Sequence, residues 1–194
     1  MVFALAKKMP ERYRALILLT TFGCLRWGEV TALRRSDIDL VAGTVRVRAA
    51  FSQQKGKGLV LGPPKSAAGV RTVSSPPAIV PDLVEHFRRF VPDSPIALIF
   101  TGPSKGHPPL RRNNFRKLVD WEEAVSAVGA AGLHFDDLRH TGNTESARTG
   151  ASTKDLMVRM GHDSSRAALK YQRAHRTSGQ GHRRRAERRC AGAE

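Results

Sequence analysis

The sequence predicts an α+β domain, predominantly helical, with a small three-stranded antiparallel sheet. Three observations lead there. The 194 residues are 40% hydrophobic, enough for one substantial core. Apolar residues recur at helical spacing on both sides of the chain's first third. Between residues 44 and 73 the pattern changes to short strand-like runs separated by turn residues.

The first helix is expected from about Glu11 to Phe22, where Tyr13, Leu16, Ile17, Leu19 and Thr20 share a face. Gly23 interrupts it, and a second helix from Trp27 to Arg34 buries Val30 and Leu33. Asp37, Asp39 and Gly43 mark turns. Thr44 to Arg48 alternates polar and apolar residues, the mark of a half-buried strand. Leu59-Val60-Leu61 and Val70-Arg71-Thr72-Val73 supply the other two strands, joined by the turn-rich stretch 62–69. After Pro76-Pro77 the helical pattern returns with Val80, Leu83, Val84, Phe87 and Phe90, ending near Pro92. Ile96 to Phe100 is a short apolar run, and 101–109 is a Gly/Pro-rich loop. One helix is expected to carry Phe115, Leu118, Val119, Trp121 and Val125 and to close at Gly129 and Gly132. Asp136 or Asp137 can cap the next, which stops at Gly150. Ser152-Thr153-Lys154-Asp155 has the form of a capping box for a helix ending at Gly161, and a last helix from near Ser164 carries Tyr171. The Arg-rich stretch from about Thr177 reads as a polar, mobile tail.

Charge narrows the function. The formal net charge is +16. Seven arginines against Glu187 and Glu194 after Tyr171 account for part of it and leave +11 on the body. A basic body suits a polyanionic partner, nucleic acid first. Cys24 and Cys190 are far apart and give no metal-type spacing, which fits a reducing compartment. The irregularly spaced His134, His162, His175 and His182 make no metal set either. No apolar run reaches the roughly 18 to 20 residues of a membrane helix. The start places its lysines after its apolar residues, the reverse of a signal peptide. A cytoplasmic, nucleoid-associated protein is expected.

The chemistry suggested is metal-free attack on a phosphodiester. It needs a nucleophile, cations on the non-bridging oxygens and an acid for the leaving oxygen. Tyr171 is one of two tyrosines and lies near Arg139, His140 and His162 in sequence. With an ordinary pKa of about 10, it needs a base or a positive field. Arginine matches phosphate oxygens with its planar fork, and lysine can serve as the acid. Arg26 sits at the break between two apolar helices, with Glu29 three residues on to orient it. Lys65 lies in the connection between strands, within reach of a groove. Lys55 and Lys57, before the second strand, and Arg71 on the third are candidate DNA contacts. Each also has an ordinary reading: Arg26 as a surface ion pair, Lys65 as a solvated turn residue, His162 as a helix-end histidine, Tyr171 as a half-buried core tyrosine.

Four motifs in order carry a resemblance: Gly23 to Glu29, Lys65 followed by Arg71-Thr72-Val73, Asp137-Leu138-Arg139-His140-Thr141, and Gly161-His162 followed nine residues later by Tyr171. In these the chain resembles the catalytic domain of tyrosine recombinases, the phage-integrase family, and most of all integrases of high-GC Gram-positive bacteria. The resemblance spans about Phe3 to His175. It implies a catalytic domain over 1–176, followed by the tail 177–194. It implies that Arg26 and Arg139 clamp the scissile phosphate, Lys65 protonates the leaving 5′-oxygen, His162 donates to the phosphate, and Tyr171 forms a 3′-phosphotyrosine. Glu29 would support Arg26, and no metal or other cofactor would be required. Double-stranded DNA would be the partner, bound by a tetramer on paired sites assembled from monomers. The N-terminal helical domain usual in the family is expected to be absent.

One departure stands out. The family carries a histidine three residues before the second arginine, where this chain has Asp136. An ionised carboxylate cannot donate a hydrogen bond and repels phosphate. It could pair with an arginine and weaken the clamp, so Asp136 is expected to lower cleavage without abolishing it. The alternatives to a strand-exchange enzyme are a catalytically weak DNA-binding remnant and a type IB topoisomerase-like activity.

Overall fold

The computed structural model describes residues 1–161. Helix α2 (Glu11–Phe22) is the axis of the core. Its residues Ala15 to Thr21 are all buried, because neighbours cover it on several sides. α1 (Val2–Lys8), α4 (Val80–Phe90) and α7 (Phe135–Arg148) pack against it. A helix that is apolar nearly all round belongs in such a place. α1 was not expected from the sequence; it forms because Leu5, Ala6 and Met9 have α2 to bury against. α3 (Trp27–Ala32) follows the break at Gly23 and is shorter than the sequence suggested.

The strand region differs from expectation in its pairing. A three-stranded antiparallel sheet has the order β1 (Ile38–Asp39), β2 (Thr44–Val47), β5 (Arg71–Ser74). Val45 and Val47 on β2 face the core, and Val45 stands opposite Val73. The Leu59–Leu61 segment does not join this sheet. It lies in β4 (Gly58–Gly62), which pairs with β3 (Ala50–Gln54) in a separate hairpin. Gly28 lets that hairpin dock on α3: a Cβ there would stand 2.2 Å from the Phe51 carbonyl oxygen.

The stretch expected as one helix is two, α5 (Arg112–Leu118) and α6 (Trp121–Ser126). Asp120 breaks it with φ of 44°, a left-handed conformation that a short polar side chain tolerates better than most. The turn lets Phe115 and Trp121 join one aromatic cluster with Tyr13, Trp27 and Phe135. The Trp121 indole donates to the Leu133 carbonyl at 2.8 Å, so its polar edge is satisfied.

The last described helix, α8 (Thr153–Met160), follows the expected box: Asp155 Oδ2 accepts from the Ser152 amide at 3.0 Å, and the Asp155 amide donates to Ser152 Oγ at 3.2 Å. Gly161 closes it with φ of 60°. For α7 the acidic group returns the same way. Asp137 sits in the first turn and accepts from the His134 amide at 2.8 Å, so His134 rather than an aspartate is the capping position. Among the described residues, no helix is long and apolar enough to cross a membrane.

Candidate active site

Arg26 is placed by the end of one helix and the start of the next. Cys24 reverses the chain with φ of 51°, and Arg26 then occupies the capping position of α3. Glu29, in the first turn, accepts from the Arg26 amide and from Arg26 Nη1, both at 2.9 Å. One carboxylate thus closes the helix start and fixes the guanidinium.

Glu29 is 2% exposed and needs strong compensation for its charge. Arg71 supplies it. Its Nη2 and Nη1 donate to Glu29 Oε2 and Oε1 at 2.9 and 3.2 Å. Nη1 also donates to the Gly69 carbonyl at 3.0 Å, Nη2 to Cys24 O at 3.4 Å, and Nε to Arg159 O at 3.0 Å. All five guanidinium N–H groups have an acceptor. Burial pushes the Glu29 carboxyl up, but the hydrogen bonds and charge of Arg71, with those of Arg26, hold it below its usual value. The expectation of Arg71 as a DNA contact is therefore corrected: the side chain is 3% exposed and spent inside the protein. The reason lies in β5, whose residues 71 and 73 face inward while 72 and 74 face out.

Arg139 comes from α7, where it is 4% exposed. Its Nη2 donates to the Met160 carbonyl at 3.1 Å. Burial, then the nearby Arg26 charge, lower its pKa to about 10, so it stays cationic at neutral pH. Gly142, one turn on, permits the approach of α7 to the end of α2; a Cβ there would lie 1.7 Å from the Thr21 carbonyl oxygen. Arg71 and Arg139 between them hold consecutive carbonyls, Arg159 and Met160, at the end of α8.

Arg26 and Arg139 line one open cleft of about 940 Å³, with Trp27, Arg112, Asp136 and His140. Its far wall is the β3–β4 hairpin, through Phe51, Gln53 and Leu59. Asp136 is engaged by Arg112: Nη1 and Nη2 donate to Oδ2 and Oδ1, each at 2.9 Å. Among the described residues, no cluster of three or more His, Cys, Asp or Glu could hold a metal ion. Arginine side chains suit phosphate oxygens, which their planar forks can meet with paired charge-assisted hydrogen bonds.

Comparison with known proteins assigns the family. Residues 1–177 match the phage integrase family. The chain belongs to that family.

Among its relatives, the prophage phiRv2 integrase of Mycobacterium tuberculosis is 37% identical over 170 residues, covering 88% of this chain and 44% of the relative. The integrase of Mycobacterium phage D29 is 33% identical over 172 residues, covering 87% and 45%. The chain thus spans less than half the length of these relatives. Among solved structures, the Tn1549 transposon integrase in complex with a circular intermediate DNA superposes with a TM-score of 0.69 at 18% identity, covering 83% of this chain and 54% of that one. That likeness shows the tyrosine recombinase catalytic-domain fold.

The other residues singled out from sequence fall in different places. Lys65 stands exposed on the loop between β4 and β5, outside the residues lining the cleft. Lys55 and Lys57 are exposed at the tip of the β3–β4 hairpin. His162 and Tyr171, with the tail, lie outside the described residues. The sequence reading missed Trp27, Arg111, Arg112 and Gln53 as cleft residues. The pair Arg111-Arg112 directly before the apolar-periodic Phe115 was the available signal for two of them.

Proposed function

We propose that the chain is the DNA-cleaving part of a tyrosine-type site-specific recombinase. In this reading the Tyr171 hydroxyl gives up its proton to water as its oxygen attacks the scissile phosphorus and forms a 3′-phosphotyrosine, while the bond to the 5′-oxygen breaks. Lys65 gives that oxygen its proton. Arg26, Arg139 and His162 neutralise the non-bridging oxygens, and Glu29 positions Arg26. The phosphotyrosine conserves the bond energy, so a 5′-hydroxyl from another strand can reverse the step. Double-stranded DNA in the cytoplasm is the substrate, and four chains on two paired sites form the exchange complex.

The observation that carries the reading is the convergence of Arg26 and Arg139, from opposite ends of the described chain, on one cleft with buried support behind each. Two fixed guanidinium groups at one point suit a phosphodiester better than a neutral ligand. The test is a nicked duplex library of randomised sequence, incubated with the chain and denatured. A covalent protein–DNA adduct is expected, absent in Tyr171→Phe and reduced about 100-fold or more in Arg26→Gln and Arg139→Gln, as for removal of one transition-state donor. An adduct that persists in Tyr171→Phe refutes the assignment of the nucleophile. Failure of any adduct to form refutes the enzyme reading and leaves the DNA-binding one. Supercoil relaxation without strand exchange would point to topoisomerase-like activity.

A further inference from the structure

We infer that Arg112 is a DNA-phosphate contact in the cleft, and that Asp136 is its positioning residue. The inference rests on the reading of the cleft as a phosphate site. It reverses the expectation that a carboxylate at position 136 spoils the clamp.

The geometry of the pair is the first ground. Asp136 takes the outer edge of the Arg112 guanidinium, one oxygen to each terminal nitrogen at 2.9 Å. That contact uses two of five N–H groups. The side edge, formed by Nε–H and one remaining terminal N–H, is a second fork of the same shape, and it matches two phosphate oxygens. An arginine can therefore hold a carboxylate and a phosphate at once. The guanidinium carbon also lies 5.6 Å from the centre of the Trp27 ring, which restrains its plane. Trp27 belongs to the buried aromatic cluster and cannot easily move. Arg112 is thus fixed from two directions, yet its side chain keeps 41% of its exposure.

The electrostatics are the second ground. Among the described residues the cleft is lined by Arg26, Arg111, Arg112 and Arg139, with Asp136 as the one carboxylate. A lone aspartate there would repel an incoming phosphate. Paired to Arg112 it is neutralised locally, and the cleft remains strongly positive. The pair also joins the start of α5 to the start of α7, one turn before Arg139.

Salt dependence reads this contact without any need for cleavage. Binding of the chain to a 30-bp duplex is measured against salt concentration for the unchanged chain, Arg112→Gln and Arg88→Gln. Arg88 lies on α4, pairs with Glu85 and does not line the cleft, so it serves as the control. Loss of one phosphate contact lowers the slope of log K against log salt by about 0.9. Arg112→Gln is expected to show that drop with about tenfold weaker binding, and Arg88→Gln to show neither. Equal slopes for the unchanged chain and Arg112→Gln overturn the inference. If Arg112→Gln does not melt cooperatively, Arg112→Lys decides. It keeps the charge but not the fork, so the slope should hold while binding weakens several-fold, and unchanged binding overturns the inference. The positioning role is read in Asp136→Asn: a lower rate of adduct formation with undiminished binding supports it, and a higher rate overturns it. Absence of adduct in every variant, with the slope difference intact, would sink the recombinase reading and leave Arg112 as a phosphate contact.

Discussion

Replacing Arg71 by methionine tests the claim that this buried side chain compensates the Glu29 carboxylate and ties it to the end of α8. Methionine keeps most of the volume and the unbranched stem but removes every donor. Glu29 then keeps Arg26 and loses its buried partner, with both side chains of the original pair 3% exposed. Breaking a buried ion pair by removing one partner costs about 3–5 kcal/mol. The carbonyls of Gly69, Cys24 and Arg159 lose a donor as well, so the upper half of that range is expected. For a domain of this size, about 4 kcal/mol lowers the melting temperature by roughly 8–16 °C. The measurement is urea unfolding followed by circular dichroism at pH 7 and again near pH 4. In the unchanged protein Glu29 has a lowered pKa, so its contribution is present above the ordinary carboxylate pKa and fades as pH falls below it. In Arg71→Met burial remains and the main opposing charge is gone, so Glu29 takes up its proton at higher pH and sheds the uncompensated charge. The gap between the two proteins should therefore narrow at acid pH. A loss below about 1 kcal/mol at pH 7, or a gap of the same size at both pH values, would refute the reasoning.

Three further outcomes follow from the geometry. Gly142→Ala drives a methyl into the Thr21 carbonyl, which backbone cannot yield cheaply; a loss of about 3 kcal/mol, seen as a lower melting temperature, is expected, and unchanged stability would mean α2 and α7 are not so close. His86 is buried, donates through Nε2 to the Ile99 carbonyl at 3.0 Å, and has its pKa lowered to about 4 by burial. Between its ordinary value near 6.5 and about 4 the unfolded chain binds the extra proton, so stability falls by about 3 kcal/mol as pH drops through that window, and His86→Leu should flatten the decline. Arg139→Lys keeps a charge but loses the fork. It should leave the melting temperature within a few degrees and cut adduct formation by at least an order of magnitude; equal adduct yields would remove Arg139 from the clamp.

What could be read from sequence was local. The break at Gly23, the Ser152–Asp155 box and the stop at Gly161 each depend on neighbours within a few positions, and each stands in the structure where it was expected. The strand at Leu59–Leu61 was legible, but its partner was not. β3 carries the polar run Ser52-Gln53-Gln54 on an exposed hairpin, so no apolar alternation marks it. The left-handed turn at Asp120 was hidden because aspartate is tolerated inside a helix pattern as well as at a break. Arg71 shows the deeper difficulty. In sequence it reads as a DNA contact, and its place on the inner face of β5 beside Val73 makes sense only once the buried Glu29 carboxylate is known, 42 residues away. For the candidate site, Arg26, Glu29 and Arg139 were found from their motifs. Arg112 was not, since nothing in a pair of arginines reveals a tryptophan ring and an aspartate waiting for one of them.

The bonds of Arg71 have a consequence for how the chain comes into being. Its acceptors run from Cys24, 47 positions before it, to Arg159, 88 positions after it. A ribosome releases the Arg26 segment long before Arg159 or Met160, so the carbonyls that complete the network arrive last. Until they do, the Arg71 guanidinium lacks the Arg159 acceptor, and the bond that ties β5 to the end of α8 cannot form. The network that buries the Glu29 carboxylate therefore closes only after nearly all of the described chain has been made.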